Sequence, residues 1–152
     1  MTTSAALLLH RDVEGVREVL IGHMGGPFWA RKDAGGWSIP KGEYVAPEPP
    51  LAAARREFTE ETGLPAPEGD VVELGEFRQG SGKRVTVFAL ESDLDLTGFA
   101  PGTFTMPWPP RSGREQEFPE LDRIAWLPLA EAADLVVKGQ RPALEALAAH
   151  LA

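Results

Sequence analysis

Three glutamates, Glu57, Glu60 and Glu61, stand at i, i+3 and i+4 in Leu51–Thr62, a segment whose pattern predicts a helix closed by Gly63. On a helix they share an arc of roughly 100°. That arc lies beside the apolar stripe of Leu51, Ala54 and Phe58, not opposite it. Like charges one turn apart destabilise a helix by a few tenths of a kcal/mol, and the C-terminal end disfavours negative charge further. The cluster is therefore set against local stability, and Arg56, one turn before Glu60, offsets only part of that. A solvated acidic face would account for such a cluster. So would a site for a hard divalent cation, Mg2+ or Mn2+, which takes carboxylate oxygens and bridges them to substrate phosphates.

A longer window separates these readings. Gly42 is followed by five residues and Glu48, then by seven more and Arg56-Glu57-Phe58-Thr59-Glu60-Glu61-Thr62-Gly63-Leu64. This matches G-x5-E-x7-R-E-U-x-E-E-x-G-U, with U apolar, at every position. At ordinary residue frequencies a chance match has odds on the order of one in ten million. The chain thus resembles the Nudix hydrolase family, and Trp37-Ser38-Ile39-Pro40-Lys41 is similar to the usual lead-in to its box. The resemblance implies one domain over residues 1–152, an α/β/α sandwich around a mixed sheet. It also implies hydrolysis of a nucleoside diphosphate derivative with Mg2+ or Mn2+. Position by position, it implies Glu57 and Glu61 as the main metal ligands and Glu60 as a further ligand or the base. The Gly42 carbonyl would complete the shell, and Glu48 and Arg56 would hold the box loop against the catalytic helix. The chemistry agrees with the residues. A pyrophosphate resists attack because it is polyanionic; a cation neutralises its oxygens and activates water, and a carboxylate accepts the proton.

Further candidates lie outside the box. Glu120, six residues before Trp126, resembles the late acidic residue of several Nudix subgroups, with Glu115 and Glu117 as competitors for the role of base. Lys41, Lys32, Arg111 and Arg114 are loop cations suited to gripping phosphate. Phe28, Trp29 and Trp108 stand on Gly- or Pro-rich segments where a base could stack, although core packing competes for each. The downstream Pro of ADP-ribose subgroups and the Tyr of diadenosine polyphosphate subgroups are both missing from the Gln79–Gly82 region, and the only tyrosine, Tyr44, lies inside the box. Gly25–Lys41 and Trp108–Pro119 are similar to a bacterial group of predicted NTP pyrophosphohydrolases. The expected substrate is an NTP or a dinucleoside polyphosphate, cleaved by water attack at phosphorus. The alternative is a Nudix-fold nucleotide sensor without turnover, but such modules usually lose box carboxylates, and here all are present.

The elements that must position these residues are short. Ala5–Leu9 and Glu18–Ile21 read as strands joined by a turn at Asp12–Gly15. His23–Gly36 reads as a long loop, Trp37–Ile39 as a short strand, and Lys41–Pro50 as a loop. Val71–Phe77 and Arg84–Leu90 pair around Gln79–Gly82. Phe99–Pro119, with five prolines and no strong period, reads as a long functional loop. Arg123–Leu127 is the last strand, and Leu129–Val137 and Pro142–Leu151 are helices. Strands with a few irregularly spaced helices give an α/β (α+β) class. Two other motifs fail. Gly80-Ser81-Gly82-Lys83 lacks the first Gly and the final Ser or Thr of a P-loop, and Gly36–Pro40 ends in Pro where a nucleophile elbow needs Gly. His10, His23 and His150 show no ligand spacing and read as surface or satisfied core residues.

Composition bounds the rest. The 152 residues suit a single domain with a sizeable core. No cysteine is present, which excludes disulfides, a thiol nucleophile and zinc fingers, and fits a reducing cytoplasm. The net charge of −8 argues against double-stranded nucleic acid as a partner but not against a nucleotide carried with a cation. Ala5–Leu9 is too short for a signal-peptide core or a membrane span, so the chain reads as soluble, with a small nucleotide as its partner.

Overall fold

Five successive apolar residues, Ala5–Leu9, suit a strand buried on both faces, and in the computed structural model they form the middle of β1 (Thr3–Val13). The structure describes residues 3–80 and 82–152; Ser81, in the expected Gln79–Gly82 turn, lies outside them. β1 pairs antiparallel with β2 (Val16–Met24), through a two-residue turn whose Glu14 and Gly15 both have positive φ, 52° and 85°. That is the turn type whose twist matches the flanking strands. On its other side β1 runs parallel to β6 (Lys83–Glu91), which pairs antiparallel with β5 (Val71–Gln79). β3 (Trp37–Ser38) and β9 (Leu121–Pro128) pair with β2, and β4 (Lys41–Glu43) pairs with the start of β1. The result is a mixed seven-stranded sheet.

Side chains alternate across it. Ala6, Leu8, Val19, Ile21, Val85 and Val87 point to one face, packing with α2 (Leu129–Leu135) and α3 (Arg141–Leu151) through Ala132, Leu144 and Leu147. Ala5, Leu7, Leu9, Leu20, Phe88 and Leu90 point to the other, where α1 (Pro50–Thr62) contributes Ala53, Ala54 and Phe58. An α/β/α sandwich follows, as expected. Among the described residues no helix is long and apolar enough to cross a membrane.

Several boundaries differ from the sequence reading. Phe99–Pro119 is not a structureless loop. It holds an antiparallel hairpin of β7 (Thr103–Pro107) and β8 (Glu115–Pro119), outside the main sheet. Its alternation is only five residues long per strand, and its strand prolines, Pro107 and Pro119, sit at strand ends, where a missing N–H is tolerated. β2 runs through His23 to Met24 before the Gly-rich loop begins, and Lys41–Glu43 is a strand because its backbone pairs with Ser4–Ala6. The helix expected to reach Val137 stops at Leu135. Val136 is extended and bridges to Trp37, and a 3-10 turn, Lys138–Gln140, leads into α3.

α1 begins with Pro50 and ends on Gly63 in the left-handed region (φ 73°), whose N–H donates to Thr59 O at 2.7 Å. The next segment closes over the helix end: Ala100 N–H donates to Thr62 O at 2.8 Å and Gly102 N–H to Glu60 O at 3.0 Å. A Cβ on Gly63 would stand 2.3 Å from Ala100 O, whereas one on Gly15, also at positive φ, would meet nothing within 4 Å. Gly15→Ala is expected to lose about 1 kcal/mol for its backbone conformation alone, and Gly63→Ala about 2–4 kcal/mol because the steric clash adds to it. Urea unfolding of the two variants checks this, and equal losses would show that the 100–102 segment yields freely.

Candidate active site

The box helix and the hairpin base meet at a cleft of about 400 Å³. Its floor is built by contact between α1 and β4. β4 lies along β1, on which α1 also packs, and this brings Gly42 against Glu57 so closely that a Cβ at Gly42 would fall 1.9 Å from the Glu57 carboxylate. Only glycine fits there. Lys41 donates its backbone N–H to Glu61 Oε1 at 3.0 Å. Glu57, Glu60, Glu61, Lys41, Gly42 and Glu120 all line the cleft.

Arg56 organises the outer side. Its Nε and Nη2 donate to the two oxygens of Glu48, each at 2.8 Å, while Nη1 donates to Glu57 at 2.8 Å and to both oxygens of Glu60 at 3.1 Å. The fork geometry of guanidinium suits such multiple carboxylate contacts. Its hydrogen bonds to Glu48 hold the Glu48 carboxyl below the usual range, and those to Glu48 and then Glu57 raise the guanidinium's own pKa. Burial pushes Glu57 up, against the pull of Arg56. Glu61 is part-buried, and desolvation is the largest cause that pushes its carboxyl up to about 8; Glu120 and Glu57 add to the rise, and the Lys41 N–H and charge oppose it.

Glu120 arrives from the far side of the chain and is fixed by its backbone. Its N–H donates to Gly102 O at 2.8 Å, and its carbonyl accepts from Gly25 N–H at 3.0 Å. Gly102 in turn donates to Glu60 O, so one ladder of bonds runs from α1 through the hairpin base to the Gly-rich loop. Gly25 could carry no side chain, since its Cβ would fall 1.9 Å from Pro119 O.

Beyond Lys41, Glu61 and Glu120 the cleft continues into a second lobe of about 210 Å³, walled by Met24, Trp29, Phe104 and Leu121. Of the three aromatic candidates, Trp29 alone lines this lobe. Phe28 and Trp108 instead pack edge-to-face on each other, 5.7 Å between ring centroids. Lys32 stands over the Trp29 ring at 5.6 Å and does not line the cleft. Arg111 and Arg114 are exposed in the turn between β7 and β8, outside the cleft lining. Glu117 accepts from Thr103 Oγ1 at 3.0 Å and, like Glu115, lies outside the lining. The sequence reading missed Thr103, Phe104, Met24 and Leu121 as cleft residues. The one signal for the first two was the apolar–polar alternation of Thr103–Met106.

Apart from the Lys41 ammonium, the polar side chains lining the cleft end in oxygen, the donor a hard divalent cation takes. The Glu61 carboxyl, desolvated and facing Glu57 and Glu120, lacks a full counter-charge. A divalent cation fits that deficit. Among the described residues, no three His, Cys, Asp or Glu side chains close into a ligand cage by themselves.

The sequence model of the NUDIX domain matches residues 2–147. No curated protein matched. Among solved structures, a C. elegans Ap4A hydrolase binary complex is similar at TM-score 0.63 and 19% identity, covering 99% of this chain and 98% of that one. The NUDIX domain of Shewanella oneidensis NrtR, complexed with ADP ribose, is similar at TM-score 0.63 and 15% identity, covering 99% and 88%. The MutT protein from Methanosarcina mazei Go1 is similar at TM-score 0.60 and 20% identity, covering 95% and 90%. At these identities the structures share the fold, while the family match spans nearly the whole chain and takes in the intact box: the chain belongs to the NUDIX domain family and is a pyrophosphohydrolase of it.

Proposed function

We propose that the chain hydrolyses a nucleoside polyphosphate, either an NTP or a dinucleoside polyphosphate, with Mg2+ or Mn2+ held by Glu57, Glu61 and Glu60 and by the Gly42 carbonyl. The observation that carries this reading is the meeting of the box carboxylates with Glu120, from a distant part of the chain, on one cleft that opens into an aromatic-walled lobe. When bound, the cation neutralises phosphate oxygens and lowers the pKa of water. Lys41, which lines both lobes, adds a positive charge beside the polyphosphate. The base of the nucleotide enters between Trp29 and Phe104.

Glu120 is the favoured general base. Both oxygens of Glu60 are engaged by Arg56, and Glu117 is held by Thr103 outside the lining. Glu120 has its backbone locked, while its side chain faces both lobes and has no hydrogen-bond partner among the described residues. A carboxylate so placed can take a proton from attacking water without moving its main chain. Arg56 acts on this chemistry through the shape of the carboxylate group, holding Glu48, Glu57 and Glu60 on one guanidinium.

A panel of NTPs and dinucleoside polyphosphates with Mg2+ or Mn2+, with products resolved by chromatography, tests the reading. Hydrolysis abolished by chelator is expected; binding with no turnover of any member would mark the chain as a sensor instead. Glu120→Gln is expected to lower kcat by about 10²–10⁴-fold with KM little changed, and Glu117→Gln to stay within a few-fold of wild type. The reverse pattern would move the base to Glu117.

Stability gives a second check that needs no substrate. A carboxyl raised from 4.5 to about 8 on folding favours the folded state while it is protonated, and loses that contribution as pH rises through about 8. The metal-free wild type should therefore melt at falling temperature from pH 5 to pH 8. Glu61→Gln should flatten this slope and melt at least about 3 °C above wild type at pH 8. Mn2+ should raise the wild-type melting temperature, by mass action on the folded state, and the Gln variant's much less. Equal Mn2+ shifts in calorimetry at matched ionic strength would remove Glu61 from the metal site.

A further inference from the structure

His23 belongs to none of the groups described so far. It sits near the end of β2 beside a bulge in the β2–β9 pairing, and it is 1% exposed. It does not line the cleft. Yet both of its ring nitrogens are engaged, one by the turn that carries Trp29 and one by the residue that follows Leu121. Nε2 lies 2.5 Å from the carbonyl oxygen of Lys32, and Nδ1 lies 3.0 Å from each carboxylate oxygen of Asp122. Both partners are oxygens, so each face of the ring edge is held by an acceptor.

What these partners hold is specific. Lys32 donates its own N–H to Trp29 O at 2.9 Å, so the turn that presents the Trp29 ring ends on the carbonyl that His23 grips. Asp122 directly follows Leu121 and stands two residues after Glu120, which form the opposite wall. The Gly-rich loop is otherwise tied mainly at its two ends: Met24 N–H to Gly36 O and Gly25 N–H to Glu120 O at the entry, Gly35 N–H to Leu135 O at the exit. In its middle Phe28 packs on Trp108, and the hydrogen bonds beyond its own turns come from His23 and from Trp37, whose Nε1–H donates to Asp33 at 2.9 Å while its ring packs edge-on against His23 at 5.5 Å. One buried imidazole thus links the turn that presents Trp29, on one side of the base, to the segment that carries Glu120 and Leu121.

We propose that His23 is a positioning residue that sets the spacing of Trp29 from the Glu120–Leu121 wall, and through that spacing decides how tightly and how selectively the nucleoside half of the substrate is held. This rests on the reading of the second lobe as the seat of the base. The carboxylates that perform the chemistry are anchored separately, on α1, β4 and the Gly102 ladder. Loosening His23 therefore acts on binding and not on the chemical step. A histidine that merely filled the core would, on replacement, lower the folded fraction and leave the KM of the remaining enzyme alone.

Two substitutions separate its two bonds. The amide nitrogen of Asn lies where Nδ1 was and keeps the donor to Asp122; that of Gln lies where Nε2 was and keeps the donor to Lys32. His23→Asn is expected to raise KM for the best nucleotide about tenfold, the worth of one good hydrogen bond, with kcat within threefold of wild type and narrowed preference among bases. His23→Gln is expected to stay within about threefold of wild type in both constants. Independently of any substrate, trypsin should cut after Arg31 or Lys32, both exposed, several-fold faster in His23→Asn than in wild type or His23→Gln, with sites mapped by mass spectrometry. If His23→Asn does not fold, His23→Leu, which fills the volume of the ring and also breaks the tie to Lys32, carries the same expectations. Unchanged KM with unchanged trypsin rates overturns the proposal, as does a loss confined to kcat, which would place His23 behind Glu120 instead. Faster trypsin cleavage without a change in KM would uphold the tie but overturn its part in recognition. Absence of any hydrolysis by wild type would fail the functional reading alone, since the trypsin comparison would still report on the tie.

Discussion

Glu57, Glu60, Glu61 and Glu120 face one cleft, and their mutual repulsion is the constraint to which the surrounding structure is fitted. Left to a bare helix, such a group would spread into solvent or take up protons. Here each carboxylate is answered by a different device. Arg56 engages Glu48, Glu57 and Glu60 together, a backbone N–H from Lys41 meets Glu61, and the negative end of α1 is covered by N–H groups from Gly63, Ala100 and Gly102. The compensation is incomplete at Glu61, whose burial keeps its carboxyl up at about 8. That residual deficit of positive charge is the one the surrounding groups leave unanswered.

The answering groups come from segments far apart in the chain, and the sheet is what gathers them. β1 is the common support: α1 packs on its one face, β4 and β6 pair with its edges, and β2 carries the Gly-rich loop away from it. Close approach then depends on missing side chains. Gly42 admits the Glu57 carboxylate, Gly25 admits the Pro119 carbonyl, and Gly102 admits the Glu60 carbonyl. Each glycine marks a place where two elements come nearer than a Cβ would permit, and all three are places where the cleft is assembled.

The box was legible because its chemistry is local. Helical spacing alone puts Glu57, Glu60 and Glu61 together, and the spacing from Gly42 to Arg56 leaves room for only one connecting loop. Glu120 was legible only as one of three acids on a segment, since nothing in a string of residues says which backbone will be locked and which side chain turned inward. The hairpin at Thr103–Pro119 was hidden by its prolines, which mimic a loop even where they end strands. Lys32, Arg111 and Arg114 share with Lys41 a positive charge and a loop address. The difference is that Lys41 sits on β4 within the cleft, a fact of pairing with β1 that its neighbours in sequence do not carry. His23 gave no signal because its partners lie at Lys32 and Asp122, one local and one ninety-nine residues away.

The hairpin of β7 and β8 has its own hydrogen-bond ladder, separate from the main sheet, and meets the carboxylates only at its base, where Gly102 and Glu120 are bonded to each other. Its outer turn can therefore grow, shrink or be exchanged while those base bonds stay as they are. The scaffold separates a part that has to be inherited intact from a part free to drift. A lineage or an engineer seeking a new substrate can rewrite that tip without rebuilding the chemistry beneath it.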